Sequence, residues 1–194
     1  MYAGQTGIRF AHWWWLAFNP QLELWKTTMS TNLDNADAIE KLKKLAKGID
    51  FAMLATALKA VPIHMIPMST KKVDDQGRIW FLSGRDSTHN KNIQQNSDVH
   101  LVYANTGSMQ FLNVYGAAEI SNDKQNLKEL YGKTDDAWFK GVDDPNLTAI
   151  CVTPKNAYHW DPKSNKLVTL FKMGYAAVTG QPPQELMDQG ELKI

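Results

Sequence analysis

Between residues 50 and 161 the chain falls into short apolar runs, each closed quickly by turn chemistry, and this spacing limits the fold more than any other feature. The runs are "DFAMLATA" (50–57), "PIHMIPMST" (62–70), "RIWFLS" (78–83), "DVHLVYAN" (98–105), "MQFLNVYGAAEIS" (109–121) and "LTAICVTPKNAYHWD" (147–161). Asp75-Gln76-Gly77 and Asn105-Thr106-Gly107 supply the residues that tight turns need, glycine reaching positive φ at no steric cost. Polar helices are predicted at two connections, over residues 86–96 and 123–133. Strands joined mostly by hairpins, with helices inserted between a few of them, predict a mainly β fold, an antiparallel barrel with flanking helices. No G-x-G-x-x-G and no G-x-x-x-x-G-K-[ST] is present, which removes the commonest nucleotide-binding folds.

Ahead of the strands, Leu33, Ala36, Ile39, Leu42, Leu45 and Ala46 recur at three- and four-residue steps. They predict an amphipathic helix with lysines on its solvated face, capped by Asp34 or Asn35 and ended by Gly48. Residues 1–28, with "IRFAHWWWLAFNP", read as an N-terminal extension outside the fold, Met29 offering a second start. A short signal-peptide core or an interfacial anchor are the other readings of that Trp-rich run. The domain itself is placed at 29–180. "LVTLFKMGYAAVTG" (167–180) fits strand or helix equally, and 181–194 reads as an exposed C-terminal tail.

The charge balance, 21 basic against 20 acidic residues, gives no global field for nucleic acid. No stretch approaches the roughly 18 apolar residues of a membrane span. Cys151 is the single cysteine, so no internal disulfide forms, which fits a cytoplasmic location; its apolar setting predicts a buried, inert thiol. The histidines share no metal-ligand spacing, and the aspartates of "DDAWFKGVDDPN" do not match a calcium loop, so no metal site is expected. Trp138, Phe139, Tyr158 and Trp160 suit a core or an aromatic pocket for a planar ring.

One exit from a strand concentrates candidate chemistry. "IWFL" (79–82) ends in Ser83-Gly84-Arg85-Asp86-Ser87-Thr88-His89-Asn90-Lys91. A helix beginning near Asp86 or Ser87 would aim free N–H groups and hydroxyls at one spot, with Arg85, His89 and Lys91 able to close round an anion. An ordinary capped helix with solvated charges accounts for the same residues.

The order of "AMLAT", "IPMST", "DDQGRIWFLSGRDS", "VHLVYAN", "NVYGAAEI", "AWFKGVDDPNL" and "VTPKNAYHWD" resembles the bacterial general stress proteins of the pyridoxamine 5'-phosphate oxidase-like superfamily. The resemblance covers residues 33–180, and "WF-x-G-x-DDP-x-L" followed by "VTP-x-x-A-x-x-WD" is its most specific part. It implies a six-stranded antiparallel split β-barrel, a homodimer, and two FMN sites at the subunit interface. It places the FMN phosphate at His64 to Ser69 and at Leu82 to His89, with Ser83, Ser87 and His89 around it and Arg85 or Lys91 adding charge. Met65, Pro67 and Met68, and a strand carrying Phe111 and Asn113, would pack on the flavin ring.

Two positions depart from the family pattern. Ile66 stands where an arginine usually reaches the phosphate, and His89 where lysine is common. Losing one charge-assisted contact weakens binding by about 1.5–3 kcal/mol, and His89 compensates only when protonated, so FMN affinity is expected to fall as pH rises. The functions implied are an FMN-dependent oxidoreductase, a non-catalytic flavin-binding stress protein, or a scaffold that no longer binds flavin.

Overall fold

The computed structural model describes residues 33–163 and 187–194, with Gly174 and Val178 placed singly between them. The N-terminal extension, and all but those two positions of 167–180, lie outside the described residues. The elements run β1 (Leu33–Asp34), α1 (Asn35–Ile49), β2 (Phe51–Thr56), β3 (His64–Ser69), β4 (Lys72–Val73), β5 (Ile79–Gly84), α2 (Thr88–Gln95), β6 (Asp98–Asn105), β7 (Gln110–Ser121), α3 (Lys124–Leu130), β8 (Leu147–Pro162) and β9 (Met187–Lys193). A 3₁₀ turn, Lys133–Ala137, precedes β8.

One sheet holds every strand, in the order β1-β9-β8-β7-β6-β2-β3, with β5 paired to both β4 and β8. All the pairings are antiparallel except β1 with β9. Six strands, β2, β3, β5, β6, β7 and β8, make the curled split barrel expected from the sequence. β8 organises the sheet. Its first half, Leu147–Val152, pairs with β5, and its second half, Ala157–Pro162, pairs with β9. The register shift that separates the halves falls between Tyr115 and Gly116 on β7. Gly116 faces Pro154 there, and a Cβ on Gly116 would lie 2.4 Å from the Thr153 carbonyl oxygen. Pro154 has no N–H to give, so it fits a bulge and not a regular ladder. Pro67 is tolerated for a related reason: β3 is an edge strand with β2 as its sheet neighbour.

α1 closes the interior. Ala38, Leu42, Leu45 and Ala46 are buried, and they pack with Leu54, Phe81, Leu101, Tyr103, Val114 and Ile150 from the strands. A second cluster lies across β5 and β8, where Trp80, Ala149 and Cys151 meet Leu127 and Leu130 of α3. Both faces of β5 are therefore covered, which explains why its sequence is continuously apolar and not alternating. Cys151 is 7% exposed, and burial pushes its thiol up to about 11, as an inert cysteine requires.

Two local expectations are corrected. Gly48 lies within α1, and the chain turns at Asp50, φ 70°, whose N–H donates to the Ala46 carbonyl at 3.0 Å. Aspartate tolerates that left-handed backbone better than most residues, so the helix gains one further residue past the glycine. The 181–194 tail is not an exposed terminus in its last part. Met187–Lys193 forms β9, with Leu192 1% exposed in the core. β5 covers only half of β8, and the unpaired backbone of the other half recruits this polar strand. Lys41 of α1 fixes it there, donating to Asp161 of β8 at 2.7 Å and to Asp188 of β9 at 2.9 Å.

Candidate functional site

Ser83 ends the inward-facing series Ile79, Phe81, Ser83 on β5, so the strand delivers a hydroxyl at the edge of the core, 3% exposed. The chain then turns, and Ser87 caps α2, its Oγ accepting from the Asn90 N–H at 3.2 Å. The first turn of α2 folds back over β5, which brings three side chains to Ser83. Its Oγ lies 2.8 Å from Asn90 Oδ1, 2.6 Å from His89 Nε2 and 3.4 Å from Ser87 Oγ.

The proton positions follow from the partners. Asn90 Nδ2 donates to Thr148 Oγ1 at 3.0 Å, so its Oδ1 is the acceptor for the Ser83 hydroxyl. The Ser83 oxygen is then free to accept from His89 Nε2–H. That tautomer leaves His89 Nδ1 unprotonated. The Thr148 hydroxyl completes the chain by donating to the Ser83 carbonyl at 2.9 Å.

His64, on β3, stacks against His89 with ring centroids 6.5 Å apart and planes 10° apart. Burial, and secondarily the neighbouring His64 ring, push the His89 imidazole down to about 4, so it is neutral near pH 7. His64 Nε2 is buried without a hydrogen-bond partner.

This seat opens into a cleft of about 480 Å³. Ile66, Pro67 and Met68 of β3 form one side, and Leu82 with Trp138 and Phe139 the other. Phe51 is 59% exposed and Trp138 82% exposed, so Trp138 lies in the cleft lining, one of the two places expected for it, and not in the core. Lys71 and Asp135 pair across the cleft at 2.5 Å. The Asp-rich segment is thus spent on structure: Asp135 holds Lys71, Asp136 accepts from Tyr131, and Asp144 accepts from the Lys140 and Asn146 N–H groups. Among the described residues no group of three His, Cys, Asp or Glu side chains is arranged to hold a metal.

Of the residues singled out from the sequence, Ile66, Pro67, Met68, Ser69, Leu82, Ser83 and His89 line the cleft, while Ser87 and His64 are outside the lining and touch it through Ser83 and His89. Arg85 does not line it; its Nε donates to the Pro145 carbonyl at 2.8 Å. Lys91 is exposed outside the lining. Met65 is 41% exposed, and Phe111 and Asn113 lie on β7 with Trp160 and Tyr158 as register partners. Residues 67, 53, 102 and 113 form one register row across β3, β2, β6 and β7. Adjacent partners in a row share a face. That face carries Met53 (38% exposed), Met65 and Val102 (40%), and it meets the cleft at Phe51 and Pro67.

Asn90, Thr148 and Lys71 were not legible as site residues. Thr148 is the cross-strand partner of Ser83, a register that no local pattern encodes. Asn90 was signalled weakly, as a polar residue three positions after the cap Ser87.

Comparison with known proteins agrees with this architecture. A general stress protein 26 from Jannaschia sp. CCS1 superposes with a TM-score of 0.68 at 22% identity, covering 82% of this chain and 99% of its own. The general stress FMN/FAD binding protein of Xanthomonas citri gives 0.58 at 24% identity, covering 66% and 92%. General stress protein 26 of Bacillus anthracis gives 0.56 at 21%, covering 62% and 92%. Among curated proteins none matches the chain. The family model described as "Pyridoxamine 5'-phosphate oxidase like" matches residues 37–184, most of the sequence. The chain belongs to the pyridoxamine 5'-phosphate oxidase like family.

Proposed function

We propose that the chain is a flavin-binding protein of the general stress type, holding FMN in the cleft between β3, β5 and the start of α2. The observation that carries this reading is the joining of two chemistries in one cavity. A wall of Ile66, Met68, Leu82 and Phe139, with Trp138 at the mouth, suits a planar ring, and a helix start with Ser83, Ser87 and His89 suits a polar end. The printed name of the Xanthomonas citri neighbour, an FMN/FAD binding protein, supports the same ligand class.

In this reading Ile66, Pro67, Met68 and Leu82 exclude water from the ring, and the Ser83 and Ser87 hydroxyls hold the polar end. A bound flavin supplies hydride or single-electron transfer, which no side chain of the cleft can perform. The working unit is a homodimer, closed through the exposed apolar face of Met53, Met65 and Val102. That face runs into the cleft at Phe51 and Pro67, so its closure would complete the site and bring Phe111 and Asn113 into the interface region. The lone buried cysteine suits a cytoplasmic setting, and among the described residues no helix is long and apolar enough to cross a membrane.

The charged lining residues, Lys71 and Asp135, are committed to each other, and a flavin-holding protein and a flavin-dependent oxidoreductase both fit the cleft. Tryptophan fluorescence tests the binding itself. FMN seated at the cleft mouth quenches Trp138, and Trp138→Phe removes most of that quench. Quenching unchanged by the substitution would place the flavin elsewhere. Reduction by NAD(P)H under anaerobic conditions then separates an oxidoreductase from a binder.

A further inference from the structure

The seat has hydroxyls and imidazoles but lacks a fixed cation. Among the described residues that line the cleft, Lys71 is the one permanent positive charge, and it is paired with the buried Asp135 at 2.5 Å. Arg85 is turned to the Pro145 carbonyl, Lys91 is exposed outside the lining, and position 66 is isoleucine. A phosphate monoester carries close to two negative charges above about pH 6. Placing such a dianion among half-buried neutral groups is costly unless a charge accompanies it.

The stacked pair His64 and His89 is positioned to provide that charge. His89 is tied to Ser83 through Nε2, which leaves Nδ1 open to protonation. His64 Nε2 is buried with no partner. The other ionisable groups around the pair are Lys71 and Asp135 lining the cleft, and Arg85, Asp86 and Lys91 in the segment of His89 itself. Each ring disfavours charge on the other while the seat is empty of anions, because two imidazolium ions would stand 6.5 Å apart.

We propose that the His64–His89 pair takes up one proton when the seat binds a phosphate group, so that this chain recognises phosphorylated flavin by proton uptake and not by a standing cation. The inference rests on the flavin reading above. Its consequence is a discrimination set by pH. With His89 neutral in the free protein and one proton held by the pair in the complex, the dissociation constant for FMN rises towards tenfold per pH unit, until pH passes the bound-state value. Riboflavin has the same ring and no phosphate, so its affinity stays level. A phosphate bound as its monoanion would also take up a proton, so the place of the proton is read from the double variant His64→Gln/His89→Gln: without the imidazoles the FMN profile should become level, whereas a slope that persists would put the proton on the phosphate and overturn the proposal.

The test is titration of the flavin-free full-length protein with FMN and with riboflavin from pH 6.5 to 8.5. Calorimetry of the FMN reaction in two buffers of different ionisation enthalpy accompanies it. The expected result is a 10- to 100-fold loss of FMN affinity across that range, a riboflavin affinity constant within twofold, and uptake of close to one proton at the acidic end. His89→Lys supplies a standing charge and should flatten the FMN profile. FMN binding that is level with pH, or that proceeds without proton uptake, overturns the proposal while leaving the flavin reading in place. Equal pH dependence for riboflavin also overturns it, since the phosphate would then not be the cause. Failure to bind either flavin overturns both readings together.

Discussion

Thr148 and Ser83 face each other across the β5–β8 ladder, and the Thr148 hydroxyl donates to the Ser83 carbonyl at 2.9 Å. Asn90, from the first turn of α2, bridges the same two residues through its side-chain amide, donating at 3.0 Å to Thr148 and accepting at 2.8 Å from Ser83. The seat is therefore a closed network joining two strands and one helix start, and the geometry of His89 depends on it.

Asn90 is 1% exposed, so Asn90→Ala leaves the Ser83 and Thr148 hydroxyls short of partners in the interior. The expected cost is about 2 kcal/mol, read from urea denaturation. The same variant should lose flavin affinity, because the Ser83 hydroxyl would turn toward His89 and reverse its hydrogen bond. Asn90→Asp should not rescue it: Asp would have no N–H for Thr148.

Gly116 is required by space. Gly116→Ala sets a Cβ against the Thr153 carbonyl at 2.4 Å, where the obstacle is backbone and cannot step aside. A loss of roughly 1–3 kcal/mol in unfolding free energy is expected, with the β7–β8 register shift disturbed. A variant as stable as the parent would show that the bulge can relax.

Acid should loosen the fold in two stages. His89 and His159 both sit below the ordinary imidazole value, His89 through burial and the His64 ring, His159 through burial and then Lys41. Between about pH 6.5 and the lowered folded values the unfolded chain binds more protons, so stability falls with acidification in that window. At lower pH Asp161 follows. Burial alone would raise its carboxyl, but hydrogen bonds from Lys41 and Gln110 outweigh this and hold it below the ordinary range. Its contribution is present above the unfolded value and is lost as pH falls through the folded one. Thermal melts from pH 7 to pH 3 check this sequence, and His159→Gln should shrink the first stage. Lys41→Met, which removes the cation shared by Asp161 and Asp188, should cost about 3 kcal/mol at neutral pH.

The fold was legible where local chemistry sets it. The run 98–105 matches β6 to the residue, and the apolar run at 79–82 announced the buried strand β5. The grouping of Ser83, Ser87 and His89 came with the family resemblance, and the structure brings Ser87 and His89 to within 3.4 and 2.6 Å of the Ser83 hydroxyl. β9 could not be seen, since "MDQGELK" is polar and its strand character comes from an unpaired stretch of β8. Thr148 and Lys71 were hidden for the same reason: Thr148 meets Ser83 across the β5–β8 ladder, and Lys71 meets Asp135, 64 residues away.

The apolar sheet face gives a further check on assembly. Met53→Glu together with Val102→Glu places two charges on adjacent register partners. Light scattering should then report a monomer where the proposed dimer would otherwise form, and the unfolding midpoint should fall to that of the isolated chain and lose its dependence on protein concentration. A parent that is already monomeric at micromolar concentration would contradict the dimeric reading.

Whether the cleft holds flavin is measured by equilibrium dialysis of the flavin-stripped protein against FMN near pH 6.5, read by visible absorption. Saturation at one FMN per chain is expected, with a shifted and structured flavin band, and a large loss of affinity in Ser83→Val, which removes the seat's hydroxyl. A protein that leaves FMN in free solution at every concentration, or one that binds it unaffected by Ser83→Val, would contradict the flavin reading.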